Sequence, residues 1–360
     1  MALQRAARYY GKEDVRIQMI LREPCGEGQV RIEPAFVGLC GTDLSEFTSG
    51  PTFGPTEPHP ITKEKLPVGM GHEFSGIVRE VGKGVTGISV GQKVAIQPTI
   101  YCSECGACKA DAENACPNGG FIGLSGGGGG LSEDVVVPAV ACVPVPDHVK
   151  LDIAALVEPL AVAWHAVAAS PVAQEPNQQC LVLGGGPIGL AVVQVLLAKG
   201  AKKVIMSEVA AKRQQLAKQF GAHHVLDPRT FDLVAVSREL CGGMQGPDVV
   251  FDCAGVPASL KTACQAVKSR GTVINVAIWK QEVPFNPNWL VMKEARLGAV
   301  LGYQRRDFEG VIDAISKGLI KPERMITSKI PLGRVVEDGI KALIKNKDRH
   351  VKILVDMKMH

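Results

Sequence analysis

Four thiols stand within 15 residues, at Cys102, Cys105, Cys108 and Cys116, in the spacing Cys-x2-Cys-x2-Cys-x7-Cys. Two residues between cysteines let sulfurs from one turn reach a single ion, and four thiolates satisfy tetrahedral zinc. Buried structural cysteines would sit among apolar neighbours, whereas these sit among Glu104, Lys109, Asp111, Glu113 and Asn114. The chemistry is that of a structural zinc, since four protein ligands leave no position for a substrate.

A second group is Gly184-x-Gly186-x-x-Gly189, in the run Gly184-Gly185-Gly186-Pro187-Ile188-Gly189. A short apolar strand precedes it, a helical stretch follows, and the next strand ends in an acid, which is the context a dinucleotide site requires. Gly184 permits the tight turn, Gly186 lets backbone approach a pyrophosphate, and Gly189 allows close helix–strand packing. The phosphates then meet free amides at a helix N-terminus. Glu208, 19 residues after Gly189, would accept bonds from ribose hydroxyls and repel a 2′-phosphate, which favours NAD over NADP. Arg213 stands against strictness, because a guanidinium there can welcome that phosphate.

A third group is dispersed: Cys40 in GLCGTD, His72 in GMGHEFSG and Glu158 in ALVEPLAVAWHA. Singly, a cysteine is usually core, a histidine a satisfied polar residue and a glutamate surface. Cys40 and His72 adjoin glycines at strand–loop junctions, and Glu158 lies in an apolar stretch from Ile153 to Ala169, where a bare carboxylate is costly. A Cys/His/Glu set leaves a fourth position open, as a catalytic zinc requires. Whether the three meet is left open by the sequence.

The elements that must position these groups fall into three parts. Residues 1 to about 145 read as all-β, with runs at Gln29–Val37, Phe74–Val81, Gln92–Ile96 and Asp134–Val137 between Gly and Pro punctuation, which suggests a barrel or sandwich. Residues 50–67 hold five prolines and read as an irregular surface loop; 125–130, SGGGGG, form a second loop, flexible or tightly turned. From about 176 to 300, strands at Cys180–Leu183, Val204–Ser207, Val225–Leu226, Val249–Cys253, Thr272–Ala277 and Leu297–Leu301 alternate with helices, one of them running to Lys199 and one over Ala210–Phe220. That alternation argues for a doubly wound parallel sheet. Beyond about 303, Val335–Ile344 has helical spacing and Val351–Val355 reads as a terminal strand.

Composition narrows the function classes. The 360 residues, 46% hydrophobic and 21% charged, suit two packed domains. A net charge of +4 with interspersed signs gives no nucleic-acid surface. No apolar run reaches the roughly 18 residues that span a bilayer, so no membrane partner is expected. The N-terminus lacks an apolar signal region, so a cytoplasmic, reducing compartment is expected, and the 11 cysteines point to metal before disulfide.

Together these motifs resemble the zinc-dependent medium-chain alcohol dehydrogenases. The run Gly71-His72-Glu73-x2-Gly76-x5-Gly82-x2-Val85 is similar to that family's zinc signature, and the four-cysteine lobe and the GGGPIGL fingerprint follow in the family's order. The segments CGTDLSEF, GHEFSG, FIGLSGGGGGLSE, NVAIW and NKDRHVKILV are most similar to the 2,3-butanediol (acetoin) dehydrogenases, with sorbitol and xylitol dehydrogenases as neighbours. The resemblance implies a GroES-like β-rich catalytic domain at 1–160 and 303–360, a Rossmann NAD-binding domain at 161–302, and a substrate cleft between them. It implies Cys40, His72 and Glu158 as catalytic zinc ligands, Glu73 as an alternate or neighbouring acid, and Thr42 as the hydroxyl that passes the substrate proton. Ile188, Glu208 and Arg213 match cofactor-contacting positions. The implied reaction is hydride transfer between a secondary alcohol or ketone and NAD, in a homodimer or homotetramer carrying two zinc ions per chain. A non-catalytic dinucleotide-binding protein is the remote alternative on such a fold. One departure stands out: many relatives carry His three residues after the threonine, where this chain has Ser45, so proton exit is expected through water or His59.

Overall fold

The computed structural model describes residues 2–243, 245–279 and 281–359. The chain divides into two units: Met1–Glu158 with Gln304–Ser316 and Ile326–His360, and Pro159–Tyr303 with Lys317–Met325.

The first unit is built on strand Gln29–Gly38, which pairs antiparallel with Glu73–Val81, Val135–Pro138 and Lys352–Asp356. Its alternation puts Val30, Ile32 and Val37 in a core with Phe74, Val78, Val94, Ile96, Ile353 and Val355. Register shifts beside Pro34, because proline cannot donate to the ladder. Leu3–Gly11 and Asp14–Leu21 form a hairpin, and Val68–Gly69 pairs with the other edge of Leu3–Gly11. Strand Asp14–Leu21 has a half-exposed face throughout, so it carries no clean two-residue hydrophobic period and escapes a sequence reading. Helix Gly41–Ser49 is the longest regular interruption before residue 150.

The second unit holds a six-stranded parallel sheet. Across the sheet the strands run His224–Leu226, Lys203–Ser207, Gln179–Leu183, Val249–Asp252, Thr272–Asn275 and Arg296–Ala299. Numbered along the chain that is the order 3-2-1-4-5-6, whose switch point beside the first strand is where doubly wound folds bind dinucleotides. Val249–Asp252 is buried at every residue, as a strand covered on both faces must be. Helix Pro187–Ala198 ends one residue before the expected Lys199, which caps it, and Gly200 follows at φ +81°, a conformation glycine enters without strain.

The C-terminal end divides more finely than the sequence reading did. Residues 317–325 group with the second unit rather than the first: the buried Met325 accepts from Gln194 Nε2 at 3.4 Å and Arg324 donates to Gln219 at 2.9 Å. The helical stretch after Val335 is not uniform, since Val335–Ile340 is a π-helix that passes into the short α-helix Lys341–Lys345. The glycine run is tightly turned: Gly126, Gly127 and Gly128 all have positive φ, and a Cβ on Gly129 would meet the Met70 carbonyl at 2.2 Å.

Candidate metal centres and nucleotide pocket

The four-cysteine lobe folds around its own sulfurs. Cys105 begins a one-turn helix, Gly106–Lys109, and its Sγ accepts the Cys108 amide at 3.4 Å. Cys102 Sγ accepts the Cys105 amide at 3.4 Å. Sulfur–sulfur separations run from 3.4 Å for Cys105–Cys108 through 3.6 Å for Cys102–Cys116 to 4.0 Å for Cys102–Cys108. Zinc–sulfur bonds of about 2.3 Å in a tetrahedron require a separation of about 3.8 Å, so the donor set fits zinc. Amides of Glu104 and Cys105 pull the Cys102 thiol down to about 6, toward the thiolate a metal needs.

The dispersed group assembles in the first unit, though not as the expected trio. Donor atoms of Cys40, His72 and Glu73 lie within 4.8 Å of one another. Cys40 sits at the N-cap of Gly41–Ser49, its amide donating to Asp43 Oδ2 at 2.8 Å. His72 and Glu73 enter from the start of Glu73–Val81, after Gly71 at φ +91°. Glycine clears the space they need: a Cβ on Gly38 would meet Glu73 Oε2 at 2.2 Å, and one on Gly123 would meet the Gly71 carbonyl at 2.3 Å. His72 Nδ1 faces Asp43 Oδ1 at 3.5 Å, and both atoms are buried with no hydrogen-bond partner among the described residues. Burial opposes charge on His72, but Asp43 and Cys40 outweigh it and hold its pKa well above the usual value. A half-buried thiol converging with a buried imidazole and carboxylate supplies donors that zinc accepts, and a cation there would compete with the His72 proton.

Glu158 begins helix Val157–Ala168 and is buried, but it does not belong to the group within 4.8 Å. Its field is felt instead at Lys352. That lysine, unmarked by the sequence, is 1% exposed and donates to both oxygens of Glu73, at 2.7 and 2.6 Å, and to the Leu39 carbonyl at 3.1 Å. Burial works against its charge, yet Glu73, Cys40 and Glu158 together raise its pKa. Glu73 thus shares the donor group with Cys40 and His72 while its charge is already matched. A lysine inside a terminal strand of apolar residues was the available signal, since such a cation must have a buried partner. Asp43 was the other residue missed.

Thr42 Oγ1 lies 3.6 Å from Cys40 Sγ, beside the donor group. Ser45 instead donates to the Gly41 carbonyl at 3.1 Å. His59 is committed to backbone: Nδ1 accepts from the Ile61 and Thr62 amides and Nε2 faces the Gly119 carbonyl at 3.3 Å. Both nitrogens are taken, which argues against the expected proton exit through this ring.

In the second unit Gly184 turns at φ +93° and a Cβ on Gly189 would strike the Gly184 carbonyl at 1.8 Å. A Cβ on Gly186 would meet nothing within 4 Å, leaving the space a pyrophosphate would fill. Gly186 caps the helix, with Pro187 in its first turn and Ile188 following, half-buried. Glu208 Oε2 accepts the Gly185 amide and Oε1 the Val209 and Ala210 amides, each at 2.7 Å. Arg213 Nη1 stands 4.0 Å from Glu208 Oε2. Both line a cavity of about 380 Å³ with Gly184, Gly186, Cys253 and Thr262, within the range of small-molecule sites. A bound dinucleotide fits the empty face of Gly186 and the carboxylate beyond it.

Comparison with known proteins agrees with this anatomy. Residues 26–147 match the model of the alcohol dehydrogenase GroES-like domain, and residues 187–317 that of the zinc-binding dehydrogenases. The chain is 40% identical over 353 residues to the (R,R)-butanediol dehydrogenase of Bacillus subtilis, covering 98% of this chain and 99% of that one. The crystal structure of 2R,3R-butanediol dehydrogenase from Bacillus subtilis superposes with a TM-score of 0.91 at 39% identity, over 98% of this chain and 99% of the other. Sorbitol dehydrogenase of the same organism is more distant, 26% identical over 98% of this chain and 96% of its own. A GroES-like unit, a Rossmann unit and two zinc-competent donor sets make this chain an oxidoreductase that belongs to the zinc-binding dehydrogenase family.

Proposed function

We propose that the chain interconverts (R,R)-2,3-butanediol and acetoin with NAD, and reduces diacetyl in the same sense. The observation that carries this is the convergence of Cys40, His72 and Glu73 beside Thr42, in a chain 40% identical to a butanediol dehydrogenase. Cys40 and His72 hold the catalytic zinc, with Glu158 as third ligand and Glu73 as the alternate. Cys102, Cys105, Cys108 and Cys116 hold the structural one. When bound, zinc supplies Lewis acidity toward the substrate oxygen and the nicotinamide supplies a hydride acceptor. Asp43 orients the His72 ring, as carboxylate partners of ligating histidines do. Thr42 takes the substrate hydroxyl proton, and with Ser45 and His59 tied to backbone that proton leaves through water. Gly184, Gly186 and Gly189 admit the pyrophosphate, and Glu208 holds the adenosine ribose, displacing its bond to Gly185.

The test is NAD reduction with each 2,3-butanediol stereoisomer and with sorbitol, before and after chelation. Turnover of the (R,R) isomer that chelation abolishes is the expected result. Preference for sorbitol moves the substrate to the polyols, and absence of turnover with any alcohol in zinc-replete protein overturns the reading.

The working form is a homo-oligomer in the cytoplasm. Arg296–Ala299 is paired on one side only, by Thr272–Asn275, and Val291, Met292, Leu297 and Leu301 around it are exposed. An open apolar strand edge invites a second copy. Light scattering should give a dimeric or tetrameric mass, and a monomeric mass refutes it. Among the described residues no helix is long and apolar enough to cross a membrane.

A further inference from the structure

One buried cation stands beside the metal donors with no part in the chemistry above. Lys352 opens the terminal strand Lys352–Asp356, in which Ile353 and Val355 join the apolar core of the first unit. Side chains alternate across a strand, so Lys352 lies on the other face, where it is 1% exposed. The strand pairs antiparallel with Gln29–Gly38, Leu354 opposite Gly38, and the Leu39 amide donates to the Ile353 carbonyl at 3.1 Å. One step further, that register brings Lys352 level with Cys40.

An ammonium has three protons, and this one has an acceptor for each. Two are the oxygens of the Glu73 carboxylate, Oε1 at 2.7 Å and Oε2 at 2.6 Å, and the third is the Leu39 carbonyl at 3.1 Å. Leu39 immediately precedes Cys40, and Glu73 immediately follows His72. One side chain therefore ties together the two segments that carry the donors. Gly38 stands opposite Glu73 in the ladder, and a Cβ there would meet Glu73 Oε2 at 2.2 Å, so the carboxylate lies against bare backbone beside the ammonium.

Charge points the same way. Burial opposes the ammonium, and Glu73, Cys40 and Glu158 face it. As two carboxylates and a thiolate these carry three negative charges, which a divalent ion and one ammonium balance to zero. An oxygen of Glu73 lies within 4.8 Å of the Cys40 and His72 donors, close enough to share an ion with them. A carboxylate already bonded through both oxygens to an ammonium is a weakened metal ligand, because the cation draws on the same lone pairs.

We infer that Lys352 is a positioning residue of the metal centre: by holding both oxygens of Glu73 it keeps that acid off the ion and leaves the position open to substrate. This rests on the reading of Cys40, His72 and Glu158 as zinc ligands. A merely structural lysine would join the two segments without deciding which acid the metal takes.

The test replaces zinc with Co(II), whose visible bands report the number and kind of ligands. Each variant is read as a difference from wild type, so the four-cysteine lobe cancels. In Lys352→Met the released Glu73 should enter the coordination shell, changing the bands and lowering kcat about 10- to 100-fold, the usual range for a group that supports a ligand. Lys352→Met combined with Glu73→Gln removes both charges and strands neither. It should show the wild-type bands, since Glu73 is not a ligand in the wild type, and it carries the test if Lys352→Met folds poorly. Wild-type bands in folded Lys352→Met, or altered bands in the double variant, overturn the inference while the zinc site stands. Wild-type protein that takes up metal only in the four-cysteine lobe overturns the reading of the catalytic site, and the inference with it.

Discussion

The lobe at Cys102–Cys116 and the group at Cys40, His72 and Glu73 both gather donors that a metal ion accepts, and they are built in opposite ways. The lobe draws its donors from 15 consecutive residues, turns its own amides onto two of the sulfurs, and sits among polar neighbours. The other group gathers a helix N-cap and the start of a strand, buries His72 and Glu73, and sets Lys352 from the far end of the chain against Glu73. A closed thiolate set is a clamp that short-range spacing can specify. A reactive site needs a position left for substrate and a controlled charge, and both require parts of the chain that only folding brings together.

That contrast can be broken by experiment. Cys40→Ser should lower kcat by about 10⁴-fold, several kcal/mol of lost transition-state stabilisation, while leaving NADH binding intact by fluorescence titration. Loss of cofactor binding in the folded variant would merge roles that the two units keep separate. Lys352→Met should destabilise the fold by about 3 kcal/mol, because it strands the buried Glu73 carboxylate, and Lys352→Arg should recover part of this in denaturant titration. An unchanged midpoint in Lys352→Met would mean that the pair does not hold the charge balance. Cys105→Ser should cost about 2 kcal/mol and a few degrees of Tm, with zinc falling from two ions to one per chain by metal analysis. Retention of both ions would show that the lobe is no clamp. Glu208→Gln should raise the KM for NAD about tenfold, near 1.4 kcal/mol, and narrow the preference over NADP. A wild-type ratio would assign that preference elsewhere.

Legibility in the sequence follows the same division. The Rossmann strands were readable because both faces are covered, so Val249–Phe251 is an unbroken apolar run; the hairpin strand Asp14–Leu21, half-exposed along its length, left no such trace. Cys40 and His72 were readable from their glycines, which the structure shows to be spatial requirements at Gly38, Gly71 and Gly123. The partner of Glu73 was not, because Lys352 lies 279 residues away, and no local pattern relates them. Residues 317–325 were misplaced for a similar reason: Met325 belongs with Gln194 by contact and not by neighbourhood.

By itself the sequence determined what local stereochemistry and short spacing can encode. That includes the four-cysteine lobe, the glycine turn that opens a helix, the acid that follows it, and the parallel α/β alternation. Only the tertiary structure decided that Glu73 lies with Cys40 and His72 and that a buried lysine offsets its charge. It alone showed that His59 is bound to backbone. Charges in a low-dielectric interior act on whichever groups the fold sets beside them, and adjacency in space is not written in adjacency along the chain.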